Sequence, residues 1–205
     1  LTEAGTCTGS RPEDDEETIA TTAGRAMDGL EIIVADAKGQ EVERGATGEL
    51  LVRGYSVMQG YLDDPEATAK AVDERGFLHT GDLATLDDRG YVRIVGRLKD
   101  MLIVGGFNVY PAEVENVLLG HVAIGQVAVV GVSDRRMGEV PVAYVVPAPG
   151  RSLEPDAILR WARERLANYK VPRHVVALEA LPTNATGKVV KDELRARAAA
   201  DVKAS

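Results

Sequence analysis

The spacing of apolar residues changes character near residue 98, and that break constrains the fold more than any other feature of the chain. Before it, short runs such as Leu30-Glu31-Ile32-Ile33-Val34 and Gly48-Glu49-Leu50-Leu51-Val52-Arg53 are set apart by turn residues, Lys38-Gly39 among them. Runs of this length bounded by turn signals read as strands. Leu83 to Leu86 and Tyr91 to Val95 flank Asp87-Asp88-Arg89-Gly90, which reads as a hairpin. Asp63-Asp64-Pro65 ahead of Glu66 to Val72 reads as a short capped helix with Pro65 in its first turn. The polar opening, Thr2 to Thr22, carries the run Glu13-Asp14-Asp15-Glu16-Glu17 and reads as a solvated loop. Small antiparallel sheet is the expectation for this half.

From Lys99 onward strands and helices alternate. Met101 to Val104 is a short strand interrupted by Gly105-Gly106. Pro111 starts a helix with Val114, Val117 and Leu118 on one face, at i, i+3 and i+4. Gln126 to Val132 and Val140 to Val146 read as strands. Glu154-Pro155 opens a helix carrying Ile158, Trp161, Ala162 and Leu166 on one side, with Trp161 expected as a core anchor. His174 to Leu178 is a last strand, followed by a loop and a terminal helix from Lys191. The pattern describes an α+β domain. Charge breaks at the same place: residues 1–98 carry 20 acidic and 10 basic side chains, a net of −10, whereas residues 99–205 carry 12 and 14, a net of +2.

Bulk properties exclude several classes. At 205 residues the chain has room for one large core or two smaller ones. No apolar run approaches the roughly 20 residues that a membrane-crossing helix needs. Cys7 is the one cysteine and no Cys/His cluster has zinc spacing, so a reducing, cytoplasmic setting is expected. His79, His121 and His174 are scattered. Neither half is basic enough for a nucleic-acid binder, and 2 Phe, 1 Trp and 6 Tyr leave little for base stacking.

Three signals carry chemistry. Leu181-Pro182-Thr183-Asn184-Ala185-Thr186-Gly187-Lys188 presents one lysine on a small-residue loop, where Gly187 frees the backbone to carry a compact cation towards a developing anion. Upstream lie Thr80-Gly81-Asp82 and Gly96-Arg97-Leu98-Lys99-Asp100. The lysine loop is not a Walker motif, because Pro182 stands where that motif has its first Gly and Val189 follows the lysine.

In this order the motifs resemble those of the adenylate-forming superfamily, which comprises acyl-CoA synthetases, adenylation domains of peptide synthetases and luciferases. Leu1-Thr2-Glu3 is similar to the end of its Tyr-Gly-x-Thr-Glu motif. Gly48-Glu49-Leu50, Gly54, Met58 and Gly60-Tyr61 are similar to the next block, and Leu78-His79-Thr80-Gly81-Asp82 to the (Tyr/Phe)-x-Thr-Gly-Asp motif. Gly96 to Glu115 resembles the hinge block and Thr186-Gly187-Lys188 the terminal lysine motif. Lys191 stands where an arginine is usual, and Pro182-Thr183-Asn184 where Pro-Lys-Thr is frequent.

The resemblance implies that ATP and a carboxylic acid form an acyl-adenylate, which CoA then converts to a thioester. It implies that Asp82 accepts hydrogen bonds from the ribose hydroxyls of ATP, that Thr2 donates to the α-phosphate, that Arg97 reaches ribose or phosphate, and that Glu3 helps to hold Mg²⁺. Lys188 would bridge the attacking carboxylate and the α-phosphate. Lys99 would be the pivot between half-reactions, and Gly105 and Gly106 would line the pantetheine tunnel. Arg135, Arg136, Lys170 and Arg173 are candidates for the phosphates of CoA. Residues 1–98 would then be the β-rich end of a large N-terminal domain and residues 99–205 a mobile C-terminal domain. No Gly-rich phosphate loop occurs, so the expectation is a partial enzyme, inactive alone, whose partners include the remainder of its N-terminal domain. A homodimer stays open, as do two other readings: an enzyme loading a carrier protein, and a non-catalytic nucleotide-binding or interaction module.

Overall fold

The computed structural model describes residues 1–204, the side chains of Lys203 and Ala204 excepted. The chain divides into two compact units, Leu1–Lys99 and Asp100–Ser205. None of the helices described is long and apolar enough to cross a membrane.

In the first unit, β1 (Thr8–Gly9) and β2 (Arg25–Ala26) make a small antiparallel ribbon around α1 (Glu16–Thr21). β3 (Leu30–Ala35), β4 (Gly48–Gly54), β5 (Leu78–Leu86) and β6 (Val92–Arg97) form an antiparallel sheet in chain order, with α2 (Pro65–Ala71) between β4 and β5. Alternate residues of a strand point to opposite faces. Val34, Leu50, Val52, Leu78 and Val92 accordingly share one core, while Ile33, Ala35, Leu51 and Phe77 pack on the other side.

Local chemistry explains the connections. Asp87 Oδ1 accepts from the amides of Arg89 (3.0 Å) and Tyr91 (2.7 Å), and Gly90 takes φ +86°, which closes the β5–β6 turn expected from sequence. Asp64 caps α2 by accepting from the Ala67 amide at 2.8 Å, with Pro65 in the first turn. The acidic run is solvated as expected, with Glu13, Asp15, Glu16 and Glu17 exposed, but its second half is helix rather than loop. Asp15 accepts from the Thr18 amide at 2.7 Å and starts α1, where Glu16 and Glu17 suit the positive end of a helix and Thr18 is buried. Asp14 meanwhile accepts a short hydrogen bond from the Tyr91 hydroxyl.

The second unit contains β7 (Leu102–Val104), β8 (Phe107–Val109), α3 (Pro111–Leu119), β9 (Ile124–Asp134), β10 (Gly138–Pro147), α4 (Pro155–Arg163), β11 (His174–Ala177) and α5 (Lys191–Ala204). β10 runs antiparallel to β9 and parallel to β11, and meets β7 at Gly138–Val104. Val129, Ala143 and Val145 pack against Val114 and Leu118 of α3 and Ile158 and Ala162 of α4. The alternate residues Ala128, Val130, Val142 and Tyr144 pack against Leu194 and Ala198 of α5. Burial on both faces is why β9 and β10 read as continuous apolar runs.

Two expectations change here. Gly105-Gly106 is the turn of a β7–β8 hairpin rather than an interruption, with φ +58° and +87°. Two successive positive φ values are what a two-residue hairpin turn twisted to match its strands demands. Trp161 stands half-buried at the rim of the core. Its Nε1 donates to the Val117 carbonyl at 3.1 Å, tying α4 to α3, and the Arg165 guanidinium lies 3.4 Å from its ring centre.

Candidate functional site

The Thr80-Gly81-Asp82 segment sits where the β4–β5 ladder loses its register. Glu49 pairs with Leu83 and Leu51 with His79, so the single residue Leu50 faces three residues of β5. A bulge of this kind strips ladder partners from its extra residues. Side chains replace them. Glu49 Oε1 accepts from the Gly81 amide at 3.0 Å, and Glu49 Oε2 lies 2.8 Å from His79 Nδ1. Thr80, itself buried, donates from Oγ1 to the Leu50 carbonyl at 2.7 Å and accepts there from the Asp82 amide at 3.0 Å. Gly81 occupies φ +69°, open to glycine at little cost.

Beyond the bulge Asp82 pairs with Arg97 across β5 and β6, and Arg97 Nε approaches Asp82 Oδ1 to 2.8 Å. The Asp82 side chain is 25% exposed and that of Arg97 51%. Burial pushes the Asp82 carboxyl above the usual aspartate range, and the Arg97 guanidinium works against that rise. The pair thus offers a half-buried carboxylate with oxygen lone pairs to spare beside a guanidinium with free N–H groups.

Near the start of the chain Thr2 is exposed. The Tyr61 hydroxyl donates to Glu3 Oε1 at 3.1 Å, which raises the Tyr61 pKa, and the Met58 amide donates to the Glu3 carbonyl at 2.7 Å. Glu3 Oε2 takes no hydrogen bond among the described residues. No cluster of three metal-ligating side chains exists among them either. One hard carboxylate oxygen fits a Mg²⁺ ion, which draws most of its ligands from water and substrate phosphates. Lys99 is exposed in the 3₁₀ turn Leu98–Asp100, as the last residue of the first unit.

In the second unit Lys188 lies on a loop braced by Asn184. The Asn184 Oδ1 atom accepts from the Thr186 amide (3.0 Å), the Thr186 hydroxyl (2.8 Å) and the Lys188 amide (2.9 Å). Asn184 N donates in turn to the Lys188 carbonyl at 2.9 Å, and Thr183 bridges to Val189. Lys188 is exposed, and its ammonium meets no carboxylate among the described residues. The neighbouring lysines differ. Lys170 Nζ lies 2.6 and 2.8 Å from the two Glu113 oxygens, and Lys191 Nζ lies 2.6 Å from Glu115 Oε1.

At the β7–β8 turn, a Cβ on Gly105 would fall 2.6 Å from Met137 Cε, whereas one on Gly106 would meet nothing within 4 Å. Phe107, 58% exposed, stacks on Tyr169 with ring centres 4.7 Å apart. Of the arginine candidates, Arg136 and Arg173 line one cavity of about 640 Å³ together with Asp134, Asn168 and His174. Arg135 is exposed outside that lining, and Lys170 is engaged by Glu113. Sequence reasoning assigns no role to Glu49, Tyr61 or Asn184. Asn184 carries a local signal, since Asn at the head of a Gly-containing turn bonds its own backbone, but Glu49 becomes visible only once strand register is known.

The description "AMP-binding enzyme" fits a family model over residues 1–62, and "AMP-binding enzyme C-terminal domain" fits another over residues 113–188. A (7a-methyl-1,5-dioxo-octahydro-1H-inden-4-yl)propanoyl:CoA ligase of Rhodococcus jostii is 55% identical over 95% of this chain, which spans 36% of that relative's length. The ATP-bound structure of MatB from Rhodopseudomonas palustris is similar with a TM-score of 0.90 and 36% identity, over 96% of this chain and 39% of MatB. The o-succinylbenzoate CoA synthetase MenE of Bacillus subtilis, solved with its acyl-adenylate, gives 0.86 and 35% over 95% of this chain and 39% of MenE. Two models matched in chain order, the first taking in β3 and β4 and the second running from α3 to Lys188, together with a relative 55% identical over nearly the whole chain, carry the conclusion beyond the fold alone: the chain belongs to the adenylate-forming superfamily of AMP-binding enzymes.

Proposed function

We propose that this chain is the C-terminal part of an AMP-forming acyl-CoA synthetase, which activates a carboxylic acid with ATP and passes the acyl group to CoA. In this reading residues 1–98 complete a large N-terminal domain, residues 99–205 form a mobile C-terminal domain, and Lys99 is the pivot between them. The observation that carries the reading is the state of Lys188. Lys170 and Lys191 are neutralised by carboxylates, while the Lys188 ammonium meets no carboxylate among the described residues and sits on a loop whose backbone Asn184 holds in place. A cation held ready without a partner suits charge that develops only in a transition state.

The other residues follow from their geometry. Asp82 accepts from the ribose hydroxyls, its carboxylate kept ionised by Arg97, whose remaining N–H groups reach ribose or phosphate. Thr2 donates to the α-phosphate. Glu3 would hold Mg²⁺ through the oxygen that Tyr61 leaves free, and the bound ion would neutralise charge on the phosphates. Lys188 draws the acid's carboxylate and the α-phosphate together. In the second half-reaction the thiol passes Gly106, where the space beyond Cα is open, and Arg136 and Arg173 offer two guanidinium groups to the phosphates of CoA. Lys170 is withdrawn from that role by its ion pair with Glu113. CoA as acceptor is supported by two of these similar proteins, one named a propanoyl:CoA ligase and the other an o-succinylbenzoate CoA synthetase.

The test separates the half-reactions in the full-length enzyme that contains this chain. Lys188→Ala is expected to lower acid-dependent exchange of pyrophosphate into ATP by ~10²–10³-fold, the loss usual for a charge-stabilising group. Thioester formation from supplied acyl-adenylate should be largely kept. Gly106→Leu should do the reverse. Equal loss of both steps in either variant contradicts the assignment, and consumption of the adenylate by a carrier protein in place of CoA would correct the acceptor.

A further inference from the structure

Glu49 is a carboxylate only 15% exposed, and it serves two groups of one neighbouring strand. Its oxygens bind the Gly81 amide and His79 Nδ1, on either side of Thr80, where β5 has two more residues than β4. The extra length leaves this stretch free to slip or to turn its peptides, and Gly81, at φ +69°, is the residue best able to do so. Thr80 fixes the Asp82 amide, and Thr80 is itself held by its hydroxyl on the Leu50 carbonyl and by a long contact, 3.5 Å, from Arg97 Nη1 to its own carbonyl. The Glu49 carboxylate adds a restraint from the β4 side by gripping His79, which precedes the bulge, and Gly81 at its centre.

From this geometry we infer that Glu49 is a positioning residue for Asp82: by clamping His79 and Gly81 it sets the direction in which the Asp82 carboxylate meets the two ribose hydroxyls of ATP. The inference rests on the reading of Asp82 given above. Glu49 touches no substrate in this account and acts through the backbone of β5. Directional hydrogen bonds tolerate little displacement, and an error of about 1 Å in a positioned group can cost ~10²-fold in rate.

The readout is discrimination between ATP and 2′-deoxyATP, taken as the ratio of kcat/KM values for adenylate formation by the full-length enzyme. A hydrogen bond to a charged acceptor sets that ratio at ~10–100 in the native enzyme. Glu49→Ala is expected to lower kcat/KM for ATP while changing that for 2′-deoxyATP far less, so that the ratio falls towards one. Glu49→Gln keeps an oxygen for the Gly81 amide and a group for His79, and should restore most of the ratio. Glu49→Asp is one methylene short of spanning both partners and carries the same expectation as the alanine variant if that variant does not accumulate as folded protein. Equal loss with both nucleotides, or a native ratio in Glu49→Ala or Glu49→Asp, overturns the inference and leaves Asp82 in place. Asp82→Asn should abolish the ratio; a native ratio in that variant removes Asp82 from the ribose and this inference with it.

Discussion

Asp82 and Arg97 hold opposed influences at one pair of side chains. Burial raises the carboxyl's pKa and the guanidinium 2.8 Å away lowers it, so the group stays available as an acceptor. The sign of an experiment follows. Arg97→Ala removes the largest lowering influence on the buried carboxyl, so the Asp82 pKa rises further. The acidic limb of the pH profile of kcat/KM for ATP should then move to higher pH. A limb that stays in place, or moves to lower pH, would show that Arg97 does not govern the ionisation of Asp82. Lys188 is the contrasting residue. Nothing among the described side chains neutralises it, and its position comes from Asn184 rather than from an ion pair.

At the scale of elements, the second unit ties its helices to its sheet through a few buried polar contacts. Glu115 Oε1 on α3 accepts from the Val129 amide of β9 at 2.7 Å and meets Lys191 at the start of α5 at 2.6 Å, so one carboxylate joins three elements. Arg195, one turn further along α5, pairs with Asp100. Tyr144 is wholly buried and donates to Asp201 at 2.8 Å near the far end of that helix, and burial pushes its pKa well above the usual tyrosine range. Glu115→Ala would leave the Val129 amide without an acceptor and Lys191 without its partner. The expected loss is about 2–4 kcal/mol, seen as a lower urea midpoint with an unchanged slope. Glu115→Gln should recover part of it, because an amide oxygen can still accept from Val129. A Glu115→Ala protein as stable as the native one would mean that α5 is held by its apolar face alone.

At the scale of the whole molecule, each unit closes its own core. The second unit buries apolar side chains on both faces of one sheet, between α3 and α4 on one side and α5 on the other. A unit of that size with two-sided burial has enough core to fold independently. Residues 100–205 expressed alone should unfold in a single cooperative transition in urea, followed by far-UV circular dichroism. A broad, non-cooperative melt would show that this unit depends on the first one for its stability. The net charge of −10 on residues 1–98 against +2 on residues 99–205 marks the same division.

Local signals were legible before any fold was known. The Asp87–Gly90 turn, the Asp64-Pro65 start of α2 and the strands β9 and β10 each arise within a few residues, from turn chemistry, capping or apolar runs. The order of short motifs carried the superfamily for the same reason. The start of α1 at Asp15 was equally local, but its acidic first turn resembles a solvated charge run. Other features came only from the tertiary structure. Glu49 reaches Gly81 across 32 positions and Glu115 reaches Lys191 across 76, so no window of sequence contains either pair. Whether a lysine is neutralised, as Lys170 and Lys191 are, or meets no carboxylate among the described residues, as Lys188 does, depends on which strands and helices lie side by side. That adjacency is a property of register and packing, and it is what turns similar charged residues into a brace in one place and an exposed cation in another.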